Sequence, residues 1–443
     1  MIKPNILWIL CDQMRGQALS HMGDPNVSTP HLDRMAAEGI TFGQARSGTP
    51  VCTPFRGTAL TGLYPHQSGI THNQSRLPET LPTVATLLRE QGYDTAWFGK
   101  WHLDGSERRE DWDTAGNSEK STSRAGFDTW LGYQNRNRPF DVRVHGPGPA
   151  SAEVSLPGYE PDVLTDQLLQ WIESHDKAAE TRTRPFFAVV SMQPPHAPYV
   201  APAVDMARHH PAAIRWRDNV PPVARIRERA GRELAGYYAA IEHIDGNVGR
   251  IRASLERLGL HDHTYLLFFS DHGDMHGSHG AFRKSTAYEE AVRIPLIVGG
   301  PPVGHQNYRQ SQALVAGIDL LPTTLGLAGV NAPGQTVGHD FSPLIRKEPS
   351  SQTLPSWSYL SLYHPSGTSY GMDRPFRGIV TADGWKLVVL PHQPWLLFNL
   401  FEDPYELANV AYHEAFASER RRLSDVLRAA AQSTGDDFAW PEE

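Results

Sequence analysis

The sequence predicts an α/β fold with a mixed, mostly parallel sheet and a smaller α+β subdomain at the C-terminus. Short β-rich runs alternate with helical patterns through most of the chain, which is typical of parallel strands joined by crossover helices. After about residue 345 this alternation gives way to a hairpin signal and one final helix. The 443 residues suffice for two or three domains. We therefore predict a larger domain over 1–346 and a subdomain over 355–443.

The elements of the larger domain follow in order along the chain. Runs of β-branched and aromatic residues predict strands at 6–10, 94–98, 186–192, 264–270 and 294–298. Helical patterns predict helices at 31–38, 81–90, 162–175 and 225–258, with a break near Gly246 left open. Residues 104–160 are rich in Gly, Pro, Ser, Asn and charge, and we expect long surface loops there that wall a pocket.

The C-terminal region has its own pattern. The polar stretch 347–354 predicts a linker. Beyond it, the pair Asp383-Gly384 favours a tight turn between strands at 377–381 and 385–390. A terminal helix at about 414–431 is expected to cover one face of this small antiparallel sheet.

Composition and charge exclude several classes of protein. Lys and Arg total 41 against 49 Asp and Glu, a net charge of −8, so no basic field favours a nucleic-acid partner. The two cysteines, Cys11 and Cys52, are too few for a disulfide scaffold or a Cys-rich zinc module. The apolar run at 6–10 is too short for a signal peptide, and no stretch of the sequence approaches a membrane span. We therefore expect a cytoplasmic protein without a membrane partner, with Cys11 in its core.

Polar side chains follow four of the predicted strands. They lie at Asp12 and Gln13 and within residues 99–102, 193–196 and 271–274. Because ligands of open α/β sheets bind beyond the carboxyl ends of the strands, we expect these side chains to meet in one site. A lone Asp or His at a strand end is more often a cap, and it is the coincidence of four such ends that indicates chemistry.

The segment around the second cysteine carries the sharpest signal. Thr53 suits a helix cap, Pro54 the first helical position and Gly62 the residue just past the helix end. Cys52 would then lie just before a helix N-terminus, which attracts anions and lowers the pKa of a thiol. The alternative is a small buried cysteine beside a capped helix.

The motif Cys52-Thr53-Pro54-Phe55-Arg56, with residues 60–65 after it, resembles the signature of the type I sulfatases. Other segments resemble blocks of that family in the family's order: residues 4–6, 29–33, 99–102, 195–198, 270–274, 284, 288–289, 293–295 and 399–407. The resemblance covers nearly the whole chain and implies an alkaline-phosphatase-like sheet sandwiched by helices. It also implies that a maturation enzyme oxidises the cysteine to formylglycine, whose hydrate is the nucleophile.

One divalent cation is predicted, and the resemblance adds the side chain at position 52 to its ligands. The other ligands are Asp12, Gln13, Asp271 and His272. Three of these offer oxygen atoms and His272 a ring nitrogen, a set suited to a cation that polarises an ester. Gln13 and His272 depart from the commonest family pattern of Asp and Asn, and similar pairs occur in choline and carbohydrate sulfatases and in phosphonate monoester hydrolases. Ca²⁺ is the expected ion, and Mn²⁺ and Mg²⁺ are the alternatives.

The resemblance implies roles for five further residues. His102 would take a proton from one hydroxyl of the formylglycine hydrate, so that the aldehyde re-forms after the other hydroxyl has attacked sulfur. His196 and Lys284 match the groups that bind the sulfate and protonate the leaving oxygen. Arg56 and Lys100 match those that hold the hydrate in place.

We expect a sulfatase that acts on a small sulfate monoester, such as a sulfated sugar, an aryl sulfate or another organic sulfate. Two alternatives stay open: a phosphonate monoester hydrolase or phosphodiesterase with the same nucleophile, and a catalytically silent binding protein in which Cys52 stays a thiol. The sequence also leaves open whether the protein forms a homo-oligomer. Loops at 104–160, 200–222 and 360–376 are expected to set specificity. Their candidate residues are Arg138, Arg143, His145, His209, His210, Arg215, Trp216 and His364. His279 is expected to line the pocket, and Asp274 is expected to be a turn residue rather than a ligand.

Overall fold

An eight-stranded sheet forms the centre of the fold. The computed structural model describes residues 3–105, 124–146, 153–179, 184–300, 309–349, 351–365 and 374–441. The sheet strands in chain order are β1 (Asn5–Asp12), β2 (Ile40–Phe42), β3 (Asp94–Lys100), β4 (Thr129–Tyr133), β7 (Phe186–Pro195), β8 (Thr264–Ser270), β9 (Leu296–Gly299) and β10 (Arg309–Ser311), with β5 (Asp141–Val144) and β6 (Val154–Pro157) forming a separate hairpin. Their order across the sheet is β10-β2-β9-β8-β1-β7-β3-β4.

The sheet is mixed and mostly parallel, as predicted. β1 pairs in parallel with both β7 and β8, and β3 pairs in parallel with β7 and β4. β9 alone among these strands runs against its two neighbours, β8 and β2. The carboxyl ends of β8, β1, β7 and β3 therefore lie side by side along one edge.

Helices cover both faces of the sheet, which confirms the predicted sandwich. They are α1 (Pro30–Glu38), α2 (Cys52–Thr61), α3 (Pro65–Ser68), α4 (Val84–Glu90), α5 (Glu160–Ala179), α6 (Ala203–Met206), α7 (Ala224–Arg257), α8 (Glu289–Val292), α9 (Leu320–Leu327) and α10 (Ser342–Arg346). Alternate residues of β1 face opposite sides, so that Trp8 joins the apolar cluster with Phe55 of α2 while Ile9 joins the cluster with Ile244 of α7. Such two-sided burial explains why the strands read as continuous apolar runs.

The structure decides one point that the sequence left open in this region and corrects one expectation. α7 runs without a break through Gly246, because Ile244 and Val248 on either side of it are buried against the sheet and hold the helix together. The segment 104–160 is not only loop: β4, β5 and β6 lie within it, with residues 106–123 and 147–152 outside the described part. The Gly, Pro and charged residues of that segment hid the pattern of β4 and β5, whose side chains alternate between half-buried and buried.

The C-terminal region is a four-stranded antiparallel sheet with one long helix. Its strands are β11 (Trp357–Leu362), β12 (Phe376–Thr381), β13 (Trp385–Leu390) and β14 (Gln393–Asn399), and its helix is α11 (Ala417–Thr434). The predicted β12–β13 hairpin is confirmed, with Gly384 at φ 87° in the turn. α11 packs Leu423 and Leu427 on one face of the sheet, as expected. The boundary of 1–346 against 355–443 stays a prediction.

A membrane-spanning helix has to be both long and apolar. Within the described ranges, no helix combines the length and the apolar character that such a span requires.

Candidate active site

The four strand ends predicted to carry chemistry meet at one edge of the sheet. Asp12 is the last residue of β1, Lys100 the last of β3, and His196 follows β7 directly. Asp271 and His272 follow β8, the neighbour of β1 on its other side. The parallel pairing of these strands is what brings residues far apart in the chain together.

The predicted helix at the second cysteine is confirmed, with one difference at its start. α2 begins at Cys52 itself after the extended Val51, and Gly62 ends it in the left-handed conformation. Thr53 is therefore not the cap: its hydroxyl donates instead to the carbonyl oxygen of His102 at 2.9 Å. All ten residues of α2 are buried, so the helix holds Cys52 inside the protein at its own N-terminus.

Four potential metal ligands, the Cys52 thiol among them, lie together. One ligand atom from each lies within 4.8 Å of all the others in the set Asp12, Cys52, Asp271 and His272. His272 Nε2 is 3.2 Å from Cys52 Sγ, and its Nδ1 is 3.0 Å from the carbonyl oxygen of Gly273. The Nδ1 proton is thus engaged by the backbone, which leaves the Nε2 lone pair directed toward the cluster.

Cations balance the two buried carboxylates. Lys100 Nζ is 2.7 Å from Asp12 Oδ2, and Arg56 Nη2 is 3.3 Å from the same oxygen and 3.5 Å from Asp271 Oδ2. Burial acts to raise the pKa of Asp12, but Lys100 and the other cations outweigh it and hold that pKa well below its usual range. Burial and the nearby Asp12 raise the pKa of Asp271. Two adjoining carboxylates of this kind need a positive partner to be charged together.

The donor set fits a divalent cation. Asp271 Oδ2 has no hydrogen bond within the described part of the chain, although it is fully buried. Gln13 adds an amide oxygen, Oε1, 3.0 Å from Lys284 Nζ, which itself lies 3.1 Å from Cys52 Sγ. Two carboxylates, one amide oxygen and one imidazole nitrogen match the mixed oxygen and nitrogen donors that Ca²⁺ and Mn²⁺ accept.

Positive charge also surrounds the side chain at position 52. Lys284 Nζ lies 3.1 Å from Cys52 Sγ. Burial and the Asp12 carboxylate act to raise the pKa of the Cys52 thiol, but Lys284, Lys100 and His272 outweigh them and the pKa lies below its ordinary value. The site therefore favours an anionic group at this position.

The two remaining predicted histidines are neutral. Burial, with Lys100 and Arg56 beside it, holds the pKa of His102 well below its ordinary value. Burial and Lys284 likewise lower the pKa of His196, whose Nδ1 is 2.7 Å from the carbonyl oxygen of Ala197. Each imidazole can therefore accept a proton at neutral pH.

The site opens into a cavity of about 410 Å³. Its wall includes polar residues that the sequence did not indicate: His72, Asn73, Gln74, Asn135, Asn137 and Arg283. Asn135 and Asn137 follow β4, so recognising that strand would have placed them with the other strand ends.

The predicted specificity residues are mostly elsewhere. Of the eight candidates, His364 alone is among the residues described as lining this cavity, and it packs edge-on against His72 with ring centroids 5.3 Å apart. His209, His210 and Arg215 line a different cavity beside Pro25. Trp216 packs against Arg227, and His145 is buried beside β4. The predicted loops 104–160 and 360–376 thus reach the cavity through Asn135, Asn137 and His364, whereas no described residue of 200–222 lines it.

The remaining candidates of that group form ion pairs outside the cavity. Arg138 and Arg143 both pair with Asp141. His279 does not line the cavity either, since its ring stacks on Tyr288 at 4.1 Å between centroids. Cys11 is fully buried in the core, as expected.

Comparison with known proteins identifies the family. The profile described as Sulfatase matches residues 4–330, and one described as N-sulphoglucosamine sulphohydrolase, C-terminal, matches residues 277–433. An ulvan-active sulfatase of Formosa agariphila is 33% identical over 450 aligned residues, covering 98% of this chain and 82% of that protein. The chain belongs to the formylglycine-type sulfatase family. It is accordingly a hydrolase of sulfate esters.

Further sulfatases are similar to this chain over almost its whole length. An N-acetylglucosamine-6-O-sulfatase of Bacteroides thetaiotaomicron is 25% identical over 98% of this chain and 87% of its own length. The crystal structure of the sulfatase yidJ from Bacteroides fragilis superposes with a TM-score of 0.87 at 27% identity, covering 99% of this chain and 97% of the other. The alkaline-phosphatase-like architecture is therefore confirmed.

Proposed function

We propose that this sulfatase hydrolyses the sulfate monoester of a small sugar. The observation that supports this most is the division of the cavity into two zones. Lys100 and Lys284 line the floor of the cavity around position 52, and the buried Arg56 adds its charge beside Asp12, which suits the sulfate group. The outer wall consists mainly of amide and imidazole side chains, which both donate to and accept from hydroxyl groups. A hydroxyl-rich alcohol such as a sugar suits that wall better than a lipid.

The nucleophile in this proposal is formylglycine made from Cys52 by a maturation enzyme. When present, its hydrate would supply one hydroxyl to attack sulfur and a second to release the sulfate afterwards. The neutral His102 beside the floor of the cavity would accept the proton of that second hydroxyl. Burial of α2 supports this assignment, because it keeps the reacting group in a fixed place.

The leaving oxygen would receive its proton from Lys284, and the neutral His196 would help to bind the sulfate. Burial acts to lower the pKa of Lys284, but Cys52, Asp12 and Asp271 outweigh it and raise that pKa. The two carboxylates stay after Cys52 is converted and favour the ammonium form. Lys284 lies 3.1 Å from position 52 and could bind the sulfate there as well. Lys100 and Arg56 lie on the Asp12 side and would hold the nucleophile in place.

One divalent cation completes the proposal, held by Asp12, Gln13, Asp271 and His272. When bound, the cation would polarise the sulfate and lower the pKa of the attacking hydroxyl. Asp12→Ala and Asp271→Ala should each abolish both divalent-cation content, measured by elemental analysis, and activity. Stoichiometric cation in the double variant would show that the ion is held elsewhere.

The reaction is tested with a panel of substrates. Protein co-expressed with a formylglycine-generating enzyme should carry the aldehyde at position 52 by peptide mass spectrometry and should desulfate sugar sulfates. Rates on matched aryl sulfate, aryl phosphonate and aryl phosphodiester substrates distinguish the sulfatase from a phosphonate hydrolase with the same nucleophile. A faster phosphonate reaction would contradict the proposal, as would high sulfatase activity with a wholly unmodified thiol. Inactivity on every substrate in aldehyde-bearing protein would favour a binding protein.

A further inference from the structure

Gln13 lies between groups of opposite polarity. Its Oε1 accepts a hydrogen bond from Lys284 Nζ at 3.0 Å. Its Nε2 donates to Asp274 Oδ2 at 2.5 Å and to the Tyr199 hydroxyl at 3.1 Å. Both ends of the amide thus select the same orientation, with the NH₂ toward Asp274 and the oxygen toward Lys284. Lys284 Nζ also lies 3.1 Å from Cys52 Sγ, which belongs to the cluster of potential metal ligands.

Asp274 is itself held in one orientation. Its Oδ1 accepts the backbone N–H groups of His276 at 3.1 Å and Arg283 at 2.9 Å. The Tyr199 hydroxyl also donates to Oδ2, and the side chain is fully buried. Oδ1 therefore makes the turn contacts that the sequence predicts, and Oδ2 accepts the hydrogen bond of Gln13.

An amide ligand requires such support in a way that a carboxylate does not. A carboxylate presents an equivalent oxygen whichever way it turns, but a reversed Gln13 would present NH₂ to the cation and to the Lys284 ammonium. We propose that Asp274 is a positioning residue that fixes the Gln13 amide with its oxygen toward the divalent cation. This rests on the cation binding proposed above and concerns a residue outside the ligand set.

The direct test is Asp274→Asn. The amide oxygen of the new side chain would stay on the two backbone N–H groups. Its NH₂ would then face the NH₂ of Gln13 and force the Gln13 amide to reverse. We expect the affinity for Ca²⁺, and separately for Mn²⁺, to fall by about 10- to 100-fold in calorimetric titration of chelator-treated protein. Asp218→Asn, an exposed Asp on a neighbouring loop, is the matched control and should leave the affinity unchanged.

The exchange variant, Gln13→Glu combined with Asp274→Asn, separates positioning from a general structural role. The new carboxylate at position 13 would accept a hydrogen bond from the new amide at position 274. Its other oxygen would still face the cation, and the total charge of the pair would be unchanged. Most of the lost affinity should return. A structural role of Asp274 alone predicts no such rescue.

Several results would overturn the inference. One is wild-type affinity in Asp274→Asn, and another is an exchange variant that is folded by circular dichroism and still binds as weakly as Asp274→Asn. If Asp274→Asn does not fold, the exchange variant decides alone, and its own failure to fold counts against the inference because the exchange preserves the hydrogen bond. Wild-type protein that binds neither cation would refute the metal proposal itself, and this inference with it.

Discussion

Single residues in this site depend on one another because their charges are buried. Asp12, Lys100 and Arg56 are all almost completely inaccessible to solvent, yet they lie within ion-pair distance. A buried charge without a partner is very unfavourable, whereas a paired one is tolerated. The site is therefore a single electrostatic unit, and the groups that can be changed individually are those at the mouth of the cavity.

His364 is the residue at that mouth whose removal should affect substrate binding alone. We expect His364→Ala to raise KM for a sugar sulfate about fivefold, which corresponds to one hydrogen bond of about 1 kcal/mol, with kcat little changed. A small aryl sulfate should show a lesser effect, because it does not reach the outer wall. Steady-state kinetics on both substrates is the measurement.

His210→Ala is the matched control for this prediction. His210 is exposed and lines the separate cavity beside Pro25, so its removal should leave both kinetic constants unchanged. An equal rise of KM in both variants would contradict the assignment of His364 to the substrate wall.

At the level of secondary-structure elements, the end of α11 is fixed to the C-terminal sheet by one carboxylate. The helix ends at Gly435, in the left-handed conformation, and Asp436 follows. Arg377 on β12 donates two hydrogen bonds to Asp436, from Nε at 2.6 Å and Nη2 at 2.8 Å, and the Tyr359 hydroxyl donates a third at 2.9 Å. This bidentate pair holds the helix in register with the strands.

Asp436→Asn should lower the free energy of unfolding by about 3 kcal/mol at pH 7, because it leaves the Arg377 guanidinium buried without its counter-charge. Burial acts to raise the pKa of Asp436, but the hydrogen bonds and charge of Arg377 outweigh it and lower that pKa. The contribution of the carboxylate is thus complete above its unfolded-state pKa of about 4 and is lost as the pH falls through the lower folded value. Urea denaturation between pH 3 and pH 7 measures it.

The difference between wild type and Asp436→Asn should therefore shrink as the solution is acidified below about pH 4. The adjacent Asp437 is exposed, and Asp437→Asn should be close to neutral at every pH. A difference that stays constant down to pH 3 would show that the carboxylate acts by shape and not by charge.

At the level of the whole molecule, the C-terminal sheet shares an apolar core with the region around the candidate active site. The face of this sheet opposite α11 packs Phe376 and Leu360 against Val51 and Val292 in one apolar cluster. Val51 directly precedes Cys52, so this packing supports the start of the catalytic helix. Lys386 of β13 also forms a buried ion pair with Glu289 of α8 at 3.1 Å. We infer that the two parts depend on each other for stability.

Phe376→Ala tests this dependence. Phe376 is fully buried, and its truncation should lower the free energy of unfolding by about 3–5 kcal/mol. Because the core is shared, tryptophan fluorescence and far-UV circular dichroism should still report one coincident urea transition. The exposed Phe401, at 63% accessibility, provides the control, and Phe401→Ala should cost far less. A separate early transition of the C-terminal sheet would contradict the shared core.

Three things could be read from the order of residues alone: the class of fold, the family and a set of ten candidate site residues. Apolar runs in β1, β7 and β8 and the periodicity of α7 are local signals, and the chemistry of the site lies at strand ends and in one contiguous motif around Cys52. Those features depend on neighbours in the chain, so they can be read from the order of residues. The exact start of α2 could not be read in this way: the Thr53 hydroxyl, expected at the cap, bonds the carbonyl oxygen of His102, 49 positions away.

Which polar residues line the cavity, and which side chain contacts Gln13, depends instead on how distant parts of the chain pack together. His210 and His364 lie in equally polar loops, yet only His364 reaches the active-site cavity, because β11 leads it there from the C-terminal sheet. Asp274 likewise contacts Gln13 because β1 and β8 pair and bring together residues 261 positions apart. Such contacts are set by how elements pack across long separations in the chain, and no local pattern encodes them.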